Sequence, residues 1–261
     1  LLGRDVESAS ARDTESRLAA LGAHPVLLPV DMARPDAVAA VMQRIRTTMP
    51  PVRGIVHAAG VLADATVLNL GDDAVRTVFG PKAVGALALH DATCELELDF
   101  FVTFSSGSAI LGAPGQANYS AANAFMDALA HWRRRAGQHA LSINWGSWSG
   151  VGMAASLDDS HRRRWAALGA LMIEPSAGVE MLIQLIRANR HVVAMAQPLH
   201  RASLPSGLPP FFVALRDQRS EDSRSVATRD MPAVDLRKRL HAADDAERRQ
   251  LLHDFLADQV V

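Results

Sequence analysis

Tyr119 is the only tyrosine in the 261-residue sequence, and Asn123 follows it four residues later. That spacing puts both side chains on one face of a helix. A phenol at the start of a helix gains from the positive end of the helix dipole when it ionises. Lys82 lies four residues after Val78 and seven after Val75, on the apolar face of its own expected helix. A buried ammonium there needs a partner or a job. Placed beside Tyr119, it would favour the phenolate and bring the phenol's pKa, near 10 when unperturbed, towards the operating range. The phenol would then serve as a general acid that protonates a carbonyl oxygen while hydride reaches the carbon. Ser106, after an apolar run, would hold that oxygen. Each residue alone has a plainer role: a snorkelling lysine, a capping serine, a packed tyrosine, a solvated asparagine. Their joint spacing favours the chemical reading.

Short apolar runs alternate with helical patterns along most of the chain. Strands are expected at 26–30 (VLLPV, ending at Pro29), 54–58 (GIVHA), 100–104 (FFVTF), 140–144 (ALSIN) and 192–196. Helices are expected at 36–45, 72–90, 119–135 and 176–188. The last of these has Val179, Leu182, Ile183 and Ile186 as its apolar face. Continuous apolar strands separated by helices of this length predict an α/β fold, a Rossmann-like doubly wound parallel sheet. In such a sheet ligands sit beyond the carboxyl ends of the strands. Both 58–60 and Ser106 follow a strand, so they belong to that edge. Residues 158–168 read as a charged helix. Residues 217–232 lack aromatics and are highly charged, as a linker would be.

Composition narrows the function classes. With 27 Lys and Arg against 28 Asp and Glu, the chain lacks the basic surplus that phosphate-backbone binding requires, so no nucleic acid partner is expected. One Cys excludes an internal disulfide and a multi-Cys zinc site, and suits a reducing, cytoplasmic setting. No apolar run is long enough for membrane insertion. The ten His residues include no helical pair at metal-ligand spacing, so no metal site is expected. Asn118-Tyr119-Ser120 matches a glycosylation acceptor but has the candidate acid at its centre. Arg133–Arg135 fall in the last turn of their helix, where cations are favourable. Residues 162–164 form a second basic run suited to a solvated face or a carrier contact. No Gly-x-Ser-x-Gly elbow surrounds Ser106, which argues against a hydrolase.

Four segments carry a resemblance: VHAAGVLAD at 56–64, FGPKAVGALALH at 79–90, FFVTFSSGSAILGAPGQANYSAANAFMDALA at 100–130 and INWGSWSGVGM at 143–153. Over roughly residues 1–200 the chain resembles the ketoreductase domain of modular type I polyketide synthases, a branch of the short-chain dehydrogenase/reductase superfamily. The superfamily's Tyr-x-x-x-Lys motif reads Tyr119–Asn123 here, and the lysine comes from Lys82, the swap typical of synthase ketoreductases. The resemblance implies a catalytic set of Lys82, Ser106, Tyr119 and Asn123, with Tyr119 the proton donor. It implies NADPH as cofactor and a β-ketoacyl thioester as substrate, carried on the phosphopantetheine arm of an acyl carrier protein. The product would be the β-hydroxyacyl thioester. Other domains of the same synthase would be the remaining partners.

The resemblance extends to the cofactor residues. Arg4 suits a 2′-phosphate by charge and fork geometry. Asp31 and Met32 correspond to a pair beside the adenine, Ala58, Ala59 and Gly60 to the segment under the adenosine ribose, and Asn144, Trp145 and Gly146 to the loop near the nicotinamide. Lys82 and Tyr119 belong to the cofactor set as well. Leu62-Ala63-Asp64 keeps the last Asp of the Leu-Asp-Asp motif of D-type ketoreductases. Leu111 stands where the opposite class has Trp, and Pro114 matches the D-type. The family's glycine-rich loop is expected roughly twenty residues before Leu1, and an upstream structural subdomain is also expected, so the fold is read as N-terminally truncated. The organisation expected is a partial catalytic domain at 1–215, a linker at 216–232 and the start of an acyl carrier protein at 233–261. The rival readings are a non-catalytic structural reductase-like domain and the β-ketoacyl reductase of a type I fatty acid synthase.

Overall fold

The computed structural model describes residues 1–150, 152, 171–197 and 244. The backbone divides into two units, Leu1–Pro205 and Ser206–Val261. The expected helix at 158–168, the linker, the 162–164 run and, apart from residue 244, the carrier segment lie outside the described residues.

The first unit alternates strands and helices in the order β1 (Leu2–Gly3), α1 (Ala9–Ala20), β2 (Leu28–Pro29), α2 (Pro35–Thr48), β3 (Gly54–His57), α3 (Asp72–Phe79), α4 (Gly85–Thr93), β4 (Phe100–Ser106), α5 (Ser108–Leu111), α6 (Ala117–Arg135), β5 (Leu141–Trp145), α7 (Pro175–Ala188) and β6 (Val193–Ala196). β1 and β2 pair in parallel, and β3-β4-β5-β6 form a parallel sheet in that order. Successive side chains of a strand face opposite ways. On β4, Phe101 enters a core with Val38, Met42, Leu89 and Leu98, whereas Val102 enters a second core with Ile143, Ile173 and Ala196. Both faces of the sheet are therefore covered, as the apolar strands predicted.

Local physics explains where elements depart from expectation. β2 is shorter than 26–30. The N–H groups of Leu28 and Val30 donate to Leu1 and Gly3, so Pro29 falls where no donor is needed. The helix expected at 72–90 is interrupted by a π-helical turn, Gly80–Val84. Pro81 has no N–H to continue the α-ladder, and a Cβ on Gly80 would come within 2.7 Å of the Ala33 Cβ. The turn contains Lys82 and helps set its direction. Helix α1 buries no residue, which is why apolar periodicity missed it; Ser8 caps it, accepting from Ala11 N at 3.3 Å. On α7 the face packed against the core is the half-buried Met181, Leu182, Leu185 and Ile186, while Val179 and Ile183 are exposed. Arg133 lies in the last turn of α6 as expected, with its side chain buried. It is 2% exposed, stacks 3.9 Å over the Phe101 ring and donates from Nε to the His139 carbonyl.

Candidate active site

Three consecutive residues at the end of β4 point in three directions. The Phe104 carbonyl accepts from Lys82 Nζ at 3.1 Å. Ser105 Oγ lies 3.2 Å from both the Asn123 carbonyl and Asn144 Oδ1. Ser106 Oγ accepts from Ser108 N at 3.2 Å and its hydroxyl interacts with the Tyr119 phenol. Lys82 Nζ also donates to Asn123 Oδ1 at 2.9 Å, and Asn123 Nδ2 donates to the Tyr119 carbonyl at 2.8 Å. The ammonium lies 5.0 Å from the centre of the Tyr119 ring. All four predicted catalytic residues are thus brought to one place. Lys82 and Asn123 are buried, Tyr119 is 8% exposed, and Ser106 is half-buried.

The electrostatics differ from the expectation in one respect. Burial raises the Tyr119 phenol above its ordinary value, the Asp64 carboxylate adds to the rise, and the side chains of Asn123 and Ser106 oppose it. Burial outweighs the stabilisation of a phenolate expected from the ammonium, which lies 5.0 Å from the ring centre. Burial brings Lys82 itself down to about 8, with the Asp127 carboxylate working against that fall. At neutral pH the phenol therefore holds its proton and the lysine its charge.

Gly60 makes room for this arrangement, since a Cβ there would sit 2.9 Å from Lys82 Cε. His57, 3% exposed, donates from Nε2 to the Lys82 carbonyl at 3.1 Å. Burial is the main reason its imidazole falls to about 4, so it is neutral. Asn118 fastens the loop before α3 to the start of α6: its Nδ2 donates to Ala63 O at 2.8 Å, and its Oδ1 accepts from Tyr119 N at 2.9 Å. Its buried, engaged amide is a poor glycosylation acceptor. Gln116 Nε2 donates to Asp64 at 2.8 Å, and Leu62 and Ala63 pack on the cluster containing Tyr119.

Apart from Lys82 and Tyr119, the predicted cofactor residues lie at or just beyond the carboxyl ends of parallel strands. Arg4 follows β1, is exposed, and makes no hydrogen bond or ion pair among the described residues. Asp31 follows β2, and its Oδ1 accepts from Ala33 N at 3.0 Å. Ala58 is exposed after β3, and Ala59 and Gly60 are half-buried. Met32 and Trp145 have side chains committed to the two cores, so only their backbone could meet a ligand. Asn144 is fully buried with both amide atoms engaged. Gly146 follows β5 and packs closely on Gln197. Sequence reasoning overlooked Ser105, Ser142 and Asp127. The four-residue step from Tyr119 to Asn123 to Asp127 was the available signal.

The KR domain family matches residues 1–150, more than half of the sequence.

The chain belongs to the KR domain family.

It is 36% identical over 252 residues to a phenolphthiocerol synthesis polyketide synthase type I, Pks15/1, of Mycobacterium marinum, covering 93% of this chain and 12% of that protein. It is 37% identical over 243 residues to the 6-methylsalicylic acid synthase of Penicillium terrestre, covering 90% of this chain and 13% of that protein. A solved structure of A-type ketoreductases from a modular polyketide synthase superposes with a TM-score of 0.71 at 33% identity, over 80% of this chain and 46% of that one. The chain thus spans a small part of those synthases and about half of that solved structure. Its α/β fold with a parallel sheet is the Rossmann-like fold of polyketide synthase ketoreductases. Among the described residues, no helix is long and apolar enough to cross a membrane.

Proposed function

We propose that this chain serves NADPH-dependent reduction of a β-ketoacyl thioester to the β-hydroxyacyl thioester, within a multidomain synthase. The substrate would be held on the phosphopantetheine arm of an acyl carrier protein. The observation that carries the reading is the buried Lys82–Asn123–Tyr119 cluster, with Ser106 beside it at the carboxyl end of β4. A KR family member of this kind needs a proton donor, an oxygen-binding hydroxyl and a nearby cation, and this set supplies all three.

The residues at the strand ends fit a dinucleotide with an extra phosphate. Arg4 offers an exposed guanidinium with no hydrogen bond or ion pair among the described residues, suited to a 2′-phosphate by charge and fork. Asp31 would sit beside the adenine, and Ala58–Gly60 would let the ribose approach the backbone closely. Met32, Trp145 and Gly146 would contribute main chain only, and Asn144 would act by fixing β5 in place. When bound, NADPH supplies the hydride that the carbonyl carbon receives. Tyr119 gives its phenolic proton to the carbonyl oxygen, and Ser106 donates a hydrogen bond to that oxygen and orients it. Lys82, charged at neutral pH, stabilises the phenolate left behind until solvent returns the proton. Asn123 holds Lys82 in place and ties it to the helix that bears Tyr119. Burial suits the donor role, because it keeps the phenol protonated before reaction.

D-type stereochemistry is proposed from Leu62-Ala63-Asp64, Leu111 and Pro114. The anchoring of this loop to Asn118 and Gln116, beside Tyr119, supports a role in substrate orientation. A catalytic region at 1–215, a linker at 216–232 and the start of a carrier domain at 233–261 complete the proposal. The test is incubation of the full-length protein with NADPH and a β-ketoacyl thioester, followed by chiral analysis. A D-configured β-hydroxyacyl thioester is expected, and absence of any reduced product would overturn the reading.

A further inference from the structure

Helix α6 carries a third polar residue on the face of Tyr119 and Asn123, one further turn along: Asp127. Its Oδ1 accepts from Ser142 Oγ at 2.5 Å and its Oδ2 from Asn144 Nδ2 at 3.1 Å. Asn144 Oδ1 in turn lies 3.2 Å from Ser105 Oγ, which also reaches the Asn123 carbonyl at 3.2 Å. Ser105 and Asn144 are register partners on neighbouring strands. Asn144 and Ser142 are fully buried, and Ser105 is 4% exposed. The carboxylate thereby fastens α6 to β4 and β5 through a chain of satisfied buried groups. That chain ends at the residue holding Lys82.

Lys82 is 2% exposed and forms no ion pair within 4.0 Å among the described residues. Other titratable groups around it are poor counter-charges. His57, against its carbonyl, is neutral above about pH 4. Tyr119, whose ring it faces, is protonated through neutral pH. The Asp64 carboxylate is engaged by Gln116 Nε2 at 2.8 Å.

We propose that Asp127 is a positioning residue for the reaction: it fixes the α6 turn that presents Asn123 to Lys82, and it is the counter-charge that keeps Lys82 an ammonium. The proposal rests on the reductase reading for its purpose, but its central test does not need turnover.

Lys82 and Lys238 are the only lysines of the chain, so ε-13C-lysine labelling of the full chain gives two signals to titrate by NMR. In Asp127→Asn the Lys82 midpoint should fall below that of the unsubstituted chain by about half a pH unit or more, while Lys238 stays in place. Asp127→Glu keeps the charge and should leave the midpoint near its original value even if the helix adjusts. In the full-length protein, the alkaline limb of the kcat profile should move down with the lysine in Asp127→Asn and stay in place in Asp127→Glu. NADPH affinity should be unchanged in both. An unmoved Lys82 midpoint in Asp127→Asn, or an equal fall in Asp127→Glu, overturns the proposal. A shifted midpoint in a protein that reduces no β-ketothioester would instead leave Asp127 as the counter-charge and sink the reductase reading.

Discussion

His57 couples the stability of the fold to the segment that carries Lys82, and the coupling has a defined pH window. The imidazole is 3% exposed, lies beneath Gly85, where a Cβ would meet its ring at 3.3 Å, and donates to the Lys82 carbonyl. Burial first, and the nearby Lys82 charge as a lesser cause, depress its pKa from 6.5 to about 4, against the hydrogen bond to the carbonyl. The folded protein therefore binds this proton less readily than the unfolded chain does. Stability from the neutral imidazole is fully present above 6.5 and is lost as the pH falls towards 4. Across the whole window the loss is roughly 3 kcal/mol, and about 2 kcal/mol of it falls between pH 7 and pH 5. His57→Gln keeps an amide donor for the carbonyl and removes the titration. Urea unfolding followed by tryptophan fluorescence at both pH values measures the effect. At pH 7 the variant should be less stable, by about 1–2 kcal/mol, because a packed ring is lost. At pH 5 the unsubstituted protein should have lost about 2 kcal/mol more than the variant, so the two converge. An identical gap at both pH values would refute the claim that a neutral, desolvated His57 supports this segment.

Gly60→Ala would place a Cβ 2.9 Å from Lys82 Cε. The stem can yield at a cost of about 1 kcal/mol, but its displacement should draw Nζ from Asn123 and lower kcat about tenfold; unchanged kcat would deny that Lys82 needs this position. Arg4→Ala should weaken NADPH binding about ten- to a hundredfold, the worth of a charge-assisted contact, while NADH binding barely changes. Isothermal titration with both nucleotides decides, and equal losses would remove the 2′-phosphate assignment.

The parallel sheet was legible because its strands are continuous apolar runs, and β4 shows why: Phe101 and Val102 each face a separate core. Tyr119 and Asn123 were legible through helical spacing, and Lys82 through its place on an apolar face. The π-helical turn was not, because widening by one residue at Gly80-Pro81 leaves the local hydrophobic pattern intact. Helix α1 was hidden for the opposite reason, having no buried face to generate periodicity. Arg133 lies in the last turn of its helix as expected, but its burial was not legible because the Phe101 ring that covers it comes from a distant strand. Asp127 was overlooked because its partners, Ser142 and Asn144, come from the next strand and meet it only on folding. The direction of the Tyr119 pKa was read from the lysine's charge alone; burial, a property of the assembled structure, dominates it.

The central claim is that Tyr119 donates the proton in carbonyl reduction, and Tyr119→Phe in the full-length protein tests it most directly. The substitution removes one oxygen atom and retains the ring that packs on Val78 and Ala122. Turnover of a β-ketoacyl thioester with NADPH should fall about a hundred- to ten-thousandfold, the usual worth of a positioned general acid, with NADPH affinity and thermal stability nearly unchanged. Turnover within about tenfold of the unsubstituted protein would contradict the account, because the chain has no second tyrosine to take its place.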